Sequence, residues 1–458
     1  MIPGLRNLML AATAAVVTST AAIVVLTQPE DTTRKITGTS DAAPGLAWSL
    51  GAADYGRADA EFRHPREGTA LDWGSPGFIE AGATLVTVLG SPDGDYSGLR
   101  DPLLVGIDAA TGARRWQAPA ADLRGCGLTP VDGQIVCYTF EELVGYDVET
   151  GTVTRTPVDF LTFALQTFDD RIYLAEGDVE SDDVRVHAGT LADPDAYWTQ
   201  PYEMGALWED PVSESLDVAH GQGVFTLGGD IAGFDLATGK PTWHERAVGC
   251  SDATETLGAL VVLPRAACRG DQTEGTAVLD RTGRTLATTE SPVAHHLSID
   301  NPTDDTVPLL LADGAHDRRT GARLWTSPDL VTAPRAEYNN TTTGTASAIL
   351  GDIALLEDSN ARTLTGLDLR TGTRLWRTEN LRYGGLLAGD GHTALFSDAA
   401  GLWALDLHTG TPTWDIPFLA ITANRPALTG PGHLTTHGKG NYTYATTHTI
   451  LRLRPLTH

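Results

Sequence analysis

Four cysteines fall into two local sets. Cys126 and Cys137 flank GCGLTPVDGQIVCY, and Cys250 and Cys268 bracket GCSDATETLGALVVLPRAAC. Thiols placed this way either oxidise in pairs, in an oxidising compartment, or share a zinc ion. A four-cysteine zinc site wants the closer Cys-x-x-Cys spacing, so two disulfides are expected, Cys126–Cys137 and Cys250–Cys268. A second constellation is DGDYSGLRD, where Asp93, Asp95, Ser97 and Asp101 take positions one, three, five and nine of a calcium-type loop. Gly98 falls at the sharp turn, but Leu104 stands where the bidentate Glu belongs, so a polar hairpin loop competes with a bound ion. Of the thirteen histidines, His295, His296 and the set His433, His437 and His448 draw notice. Neighbours on one strand face are two apart, so these spacings read as surface or turn histidines. No Gly-x-Ser-x-Gly elbow, phosphate loop or His-Glu-x-x-His is present. Asn339, Asn340 and Asn441 lie in sequons that matter only in a glycosylating host.

The elements that must position these residues are short strands. Gly at 49 and Pro at 25 imply many turns, and 41% hydrophobic with 20% charged residues fits a folded body. Acids outnumber bases, 59 to 32, and the net charge of −27 repels phosphate backbones and anionic lipid. Nucleic acid is therefore not an expected partner. Lys35, Lys240 and Lys439 are the three lysines; the other bases are Arg.

The run LMLAATAAVVTSTAAIVVL, residues 8–26, holds no charge. As a helix it would be about 28 Å long, enough for a bilayer core. Arg6 before it and Glu30 and Asp31 after it favour a cytoplasmic N-terminus and an exported body. A cleaved signal peptide competes, although the run is long and TQPED is a poor cleavage site. No Cys lies in the run or after it that could carry a lipid, which excludes a bacterial lipoprotein. The expected domains are an anchor or signal peptide over 1–26, a flexible tether over 27–43, and a repeat body over 44–458.

One phrase recurs through that body. It reads VGIDAATGARRW, VGYDVETGTVTR, AGFDLATGKPTW, AVLDRTGRTL, AHDRRTGARLW, TGLDLRTGTRLW and WALDLHTGTPTW. Six copies carry Asp-x-x-Thr-Gly: Asp108, Thr111 and Gly112; Asp147, Thr150 and Gly151; Asp235, Thr238 and Gly239; Asp317, Thr320 and Gly321; Asp368, Thr371 and Gly372; Asp406, Thr409 and Gly410. Asp280-Arg281-Thr282-Gly283 is one residue shorter. Five copies end in an indole, at Trp116, Trp243, Trp325, Trp376 and Trp414. Apolar alternation marks the strand, Asp can accept backbone N–H bonds of the turn, and Gly supplies a positive φ. The Trp strand that follows can fill the gap to the next sheet.

Neighbouring copies start 37 to 51 residues apart, and one gap of 88, from Asp147 to Asp235, spans two units. The unit inside it keeps an aromatic ending at Trp198. Four short strands per unit, set radially, describe a β-propeller. The last unit, 425–455, lacks a Trp strand, and GLAWSL, 45–50, is a Trp strand without a unit. Joining them would close the ring and protect its edges. This count gives eight full units plus a composite one. Two divergent units, around 157–200 and 290–325, invite merging, so eight blades are expected with nine as the alternative.

The pattern LxALDxxTGxxxW resembles the repeat of the pyrroloquinoline-quinone (PQQ)-like propellers, which include quinoprotein alcohol dehydrogenases and an outer-membrane assembly scaffold. The resemblance spans about 45–455 and implies an all-β propeller of four-stranded antiparallel blades. For the Asp, Thr, Gly and Trp positions it implies structural roles only. The dehydrogenases of that class use PQQ beside Ca2+, an Asp base and a vicinal cysteine pair. No adjacent Cys pair or Cys-x-x-Cys-His exists here. The expectation is a membrane-tethered, extracytoplasmic, monomeric scaffold, not an enzyme, binding a protein or envelope partner on a loop face. No catalytic, cofactor-binding or metal residue is assigned. A PQQ-dependent dehydrogenase and a sensor ectodomain for a small ligand are the alternatives, as is secretion after signal cleavage.

Overall fold

The computed structural model describes residues 37–38, 43–70, 74–93, 98–177, 184–204, 216–219, 221–227, 230–246, 255–257, 260–266, 273–289, 297–311, 313–330, 345–358, 362–379, 384–421, 432–438 and 440–456. Its strands form nine sheets, the blades of a nine-bladed propeller. Nine replaces the count of eight, because both divergent units are separate blades.

Blade 1 contains Glu61–Arg63, Thr84–Pro92, Leu99–Asp108 and Arg114–Pro119, with Ile79–Ala81 as an extra strand on Thr84–Pro92. Blade 2 contains Gly125–Cys126, Gln134–Tyr138, Glu142–Asp147 and Val153–Pro157. Blade 3 is the unit without the repeated phrase, yet it is complete: Leu161–Phe168, Arg171–Gly177, Val184–Gly189 and Trp198–Tyr202. Blades 4 and 5 start at Leu216–Ala219 and Glu255–Leu257. Blade 6 is the irregular one, with Leu309–Leu311, Gly314–His316 and Arg323–Trp325. The strand before it, Ile299–Asn301, runs parallel to the innermost strand of blade 7, Thr345–Leu350. This switch explains why the 290–325 unit reads poorly in sequence. Blade 8 runs from Gly385–Gly389 to Pro412–Pro417.

Blade 9 closes the ring. His433–Thr436, Tyr442–Ala445 and Thr449–Pro455 receive their outer strand from the other end of the chain, Pro44–Gly51, paired antiparallel to Thr449–Pro455. A short segment before it, Thr37–Gly38, adds a fifth strand to blade 8.

Burial follows position within a blade. In Thr84–Pro92, a middle strand, eight of nine residues are buried because other blades cover both of its faces. The outer strand Val153–Pro157 is exposed at four of five positions. Apolar clusters lie between successive blades, for example Phe163, Trp198 and Tyr202 of blade 3 with Phe225 and Phe234 of blade 4. Among the described residues no helix is long and apolar enough to cross a membrane. The proposed anchor, 8–26, lies outside them.

Candidate functional site

The repeated residues are the first candidates, and their geometry shows what occupies them. Asp108 Oδ1 accepts the N–H and the hydroxyl of Thr111 at 2.9 and 2.8 Å. Asp147 does the same for Thr150, Asp235 for Thr238, Asp317 for Thr320 and Asp406 for Thr409. Asp368 accepts the Thr371 N–H at 2.8 Å. Hydrogen bonds from Arg115, then Thr111, pull the Asp108 carboxyl down to about 2. Arg115 also reaches Glu149 of blade 2 at 2.6 Å, so one guanidinium ties two blades at this turn.

Each indole that faces a complete turn of the following blade packs on it. Trp116 Nε1 donates to the carbonyl of Val148 at 2.8 Å, Trp198 to Leu236 at 3.0 Å, Trp325 to Leu369 at 2.9 Å and Trp376 to Leu407 at 2.6 Å. Trp48, from the strand that closes the ring, donates to Ala109 of blade 1 at 3.2 Å. The acceptor is always the residue after the turn's Asp. The turn glycine carries the ring itself. A Cβ at Gly151 would lie 2.6 Å from Trp116, and the same relation links Gly112 to Trp48, Gly239 to Trp198, Gly372 to Trp325 and Gly410 to Trp376. A second glycine, two residues before the Asp, lies under the ring of its own blade: a Cβ on Gly106 would meet Trp116 at 2.2 Å. Trp243 faces the shortened turn of blade 5 and packs on Gly283, but its buried Nε1 has no acceptor among the described residues. Trp414, facing blade 9, which lacks the turn, lies 6.0 Å from Tyr442 instead.

The junction of blades 2 and 3 breaks this rule on both sides. Arg155 replaces the indole, and blade 3 has no Asp-Thr-Gly turn. Leu191 and Gln134 fill the space beside Gly145. On the face of blade 3 toward this junction, His187 lies between two carboxylates. Its Nε2 is 2.9 Å from Glu176 Oε1, and its Nδ1 meets Asp195 and Thr199. Glu176 and His187 are both 4% exposed. Burial alone would lower the His187 pKa, but the two carboxylates outweigh it and raise the value. Toward the channel, a recess at this junction is lined by Arg66, Cys126, Leu128, Tyr138, Leu165 and Gln166. Arg66 comes from an excursion of blade 1 whose 3-10 turn, Pro65–Glu67, packs over Gly125. Its charge is felt as far as blade 4, where it opposes the burial that raises the Asp217 pKa. On the face that carries the blade connections, Phe140 is 39% exposed with the Arg124 guanidinium 4.2 Å over its ring. Arg185 stacks likewise over Phe160 at 4.4 Å.

The other sequence candidates separate. Cys126 and Cys137 form a disulfide across adjacent strands of blade 2. Cys250, Cys268, Asp95, Ser97, His295, His296, Asn339 and Asn340 lie outside the described residues. Asp93 is 3.6 Å from Arg100, and the Asp101 carbonyl accepts from Arg57 at 2.7 Å. His433 stacks edge-on with His64 at 5.3 Å and Phe78 at 5.0 Å. His437 contacts Glu80, Thr443 and Arg452, while the carbonyl of His448 receives the Ala52 N–H. These histidines join blade 9 to blade 1 and form no cluster. Among the described residues no three His, Cys, Asp or Glu side chains are placed to hold a metal. Sequence reading missed the Glu176–His187–Asp195 group, which carries no motif. It also missed the glycine before the Asp, although VGID, VGYD, AGFD and TGLD display it.

Closed ring, blade repeat and interblade indoles together define a PQQ-like propeller. The family model described as "Outer membrane protein assembly factor BamB" matches residues 100–282 and 312–417, more than half of the chain, and the chain belongs to that family. BamB from Moraxella catarrhalis is similar at 15% identity and a TM-score of 0.45, covering 91% of this chain and 99% of that one. The quinohemoprotein alcohol dehydrogenase ADHIIG from Pseudomonas putida is similar at 12% identity and 0.44, covering 90% and 76%. Sqt1 from Saccharomyces cerevisiae is similar at 8% identity and 0.43, covering 86% and 98%. No curated protein matches the chain.

The described residues do not fit a quinone with its calcium ion. The Cys126–Cys137 bridge joins residues 11 apart rather than a vicinal pair. Of the described inner-strand carboxylates, Glu61, Glu80 and Asp217 are engaged by Arg63, His437 and Thr256, and Asp300 stands apart on Ile299–Asn301 beside blade 7.

Proposed function

We propose that this chain is a membrane-tethered, extracytoplasmic scaffold that binds a protein partner at the junction of blades 2 and 3. One observation carries the reading. The repeated Asp, Thr, Gly and Trp side chains are occupied in holding blades together, and the junction that lacks both the indole and the turn also exposes Phe140 and Leu128. Sites that break a local rule are where function is to be sought. Loops on a rigid ring suit recognition. The family's description as an assembly factor agrees with a protein partner.

The test replaces Phe140 with a photo-crosslinking phenylalanine in the native envelope. A discrete adduct from Phe140, absent from the same replacement at Glu149 on the opposite face, supports the reading; equal labelling from both overturns it. Addition of PQQ and Ca2+ is the counter-experiment. Stoichiometric uptake with dye reduction would replace the scaffold by a dehydrogenase, and a saturable thermal shift with a small molecule would favour a sensor.

A further inference from the structure

The path by which the chain enters the ring gives the ring an orientation. Thr37 pairs with Asp415 and Gly38 with Trp414, antiparallel to the outer strand of blade 8. That outer strand, Pro412–Pro417, begins just after the Asp406-Thr409-Gly410 turn and ends at the connection to blade 9. Thr37 therefore meets that strand near its middle, and from Thr37 to Gly38 the chain heads away from the connection side and toward the turn face, where Pro44 pairs with Pro455. The propeller has two unlike faces. One carries the Asp-Thr-Gly turns; the other carries the blade-to-blade connections, and the blade 1 excursion packs toward it through Thr69 on Ala120, Leu123 and Leu99.

We infer that the rim of blade 8, on the connection face, is the edge that approaches a lipid bilayer, with the turn face directed away from it. This rests on the tethered reading above. Ten residues, 27–36, separate the apolar run from Thr37. They span at most about 36 Å. A chain of this length has a radius of gyration on the order of 23 Å, so opposite rims lie farther apart than the tether reaches. Blade 8 is thus held near the membrane while blades 3 and 4 are not. Charge acts in the same direction. The net charge of −27 opposes broad contact between either face and anionic headgroups. Arg34 and Lys35, next to the paired segment in sequence, are the first bases after the apolar run.

The test uses the full chain in vesicles of phosphatidylcholine with phosphatidylglycerol, carrying an acceptor dye on the headgroups. A donor dye is placed on single added cysteines at Ala399 (connection face of blade 8), His408 (turn face of blade 8) and Glu141 (connection face of blade 2). All three positions are exposed. Energy transfer is expected to fall in that order, with Ala399→Cys at least twofold above Glu141→Cys. Equal transfer from the three, or a reversed order, on protein that floats with the vesicles overturns the orientation alone. Failure to float, or flotation unchanged after removal of residues 1–36, overturns the tether and the orientation with it.

Discussion

At Gly151 the backbone has φ of +69° and an added methyl group would lie 2.6 Å from the Trp116 ring. Gly133, in the same blade, has φ of +74° and open space around it. The pair separates torsional strain from packing. Gly133→Ala is expected to cost about 1 kcal/mol in urea unfolding, and Gly151→Ala about 1–3 kcal/mol more. In a Trp116→Ala background that excess should vanish, since neighbouring sites couple. Additive losses would mean that the indole does not rest on the glycine. His187 makes a prediction of opposite character to the turn carboxylates. Its folded pKa is raised, so its contribution is fully present below pH 6.5 and is lost as pH rises through the folded value. The urea midpoint of the native chain should therefore drop on the alkaline side relative to His187→Gln. For Asp108, held down to about 2, the loss comes instead as pH falls from about 4 toward 2.

Among the elements, the closing strand is the one whose loss is most informative. Removal of residues 1–36 leaves every described strand in place. Removal of residues 1–51 strips blade 9 of its outer strand and takes away Trp48, leaving an open edge. The shorter truncation is expected to unfold at the same temperature as the full chain, and the longer one to aggregate or to melt well below it by scanning calorimetry. Acid acts on the same junction. Burial lowers the His64 pKa to about 3, and burial with the Arg452 charge lowers that of His437 to about 4. Both must be neutral where blade 9 meets blade 1, so the junction loses stability as pH falls below 6.5 toward those values. A fluorophore on Leu46, 38% exposed, should report loosening in that window ahead of global unfolding. A signal constant down to pH 4 would contradict it. This closure was legible in sequence, because a strand with an unmatched Trp and a unit without one stood at opposite ends. The blade 6 switch was not legible. Ile299–Asn301 leaves its own blade for a parallel pairing with Thr345–Leu350, and hydrogen bonds between backbones carry no side-chain signature.

Across the whole molecule, the repeat is read most easily where side chains of two blades must fit each other. Trp, the turn glycine and the carbonyl after Asp form one unit shared by two blades, so the fold could be inferred from residue spacing. The junction of blades 2 and 3 has no such signal: its His187 and Glu176 meet only through strand register, Leu174 opposite His187 and Glu176 opposite Arg185. The molecule is thus a ring cemented at most junctions by indoles; that of blades 5 and 6 lacks one, the Leu286 backbone meeting Gly321, and that of blades 2 and 3, the proposed docking site, lacks both indole and turn. Native-state hydrogen exchange, followed strand by strand, tests this most directly. Amides of Gly45–Gly51 should exchange in step with Thr449–Leu453, and the junction of blades 7 and 8, with Trp376 on Gly410, should open at higher free energy than that of blades 2 and 3. Independent exchange of Gly45–Gly51, or protection at blades 2 and 3 equal to that at blades 7 and 8, would contradict the account.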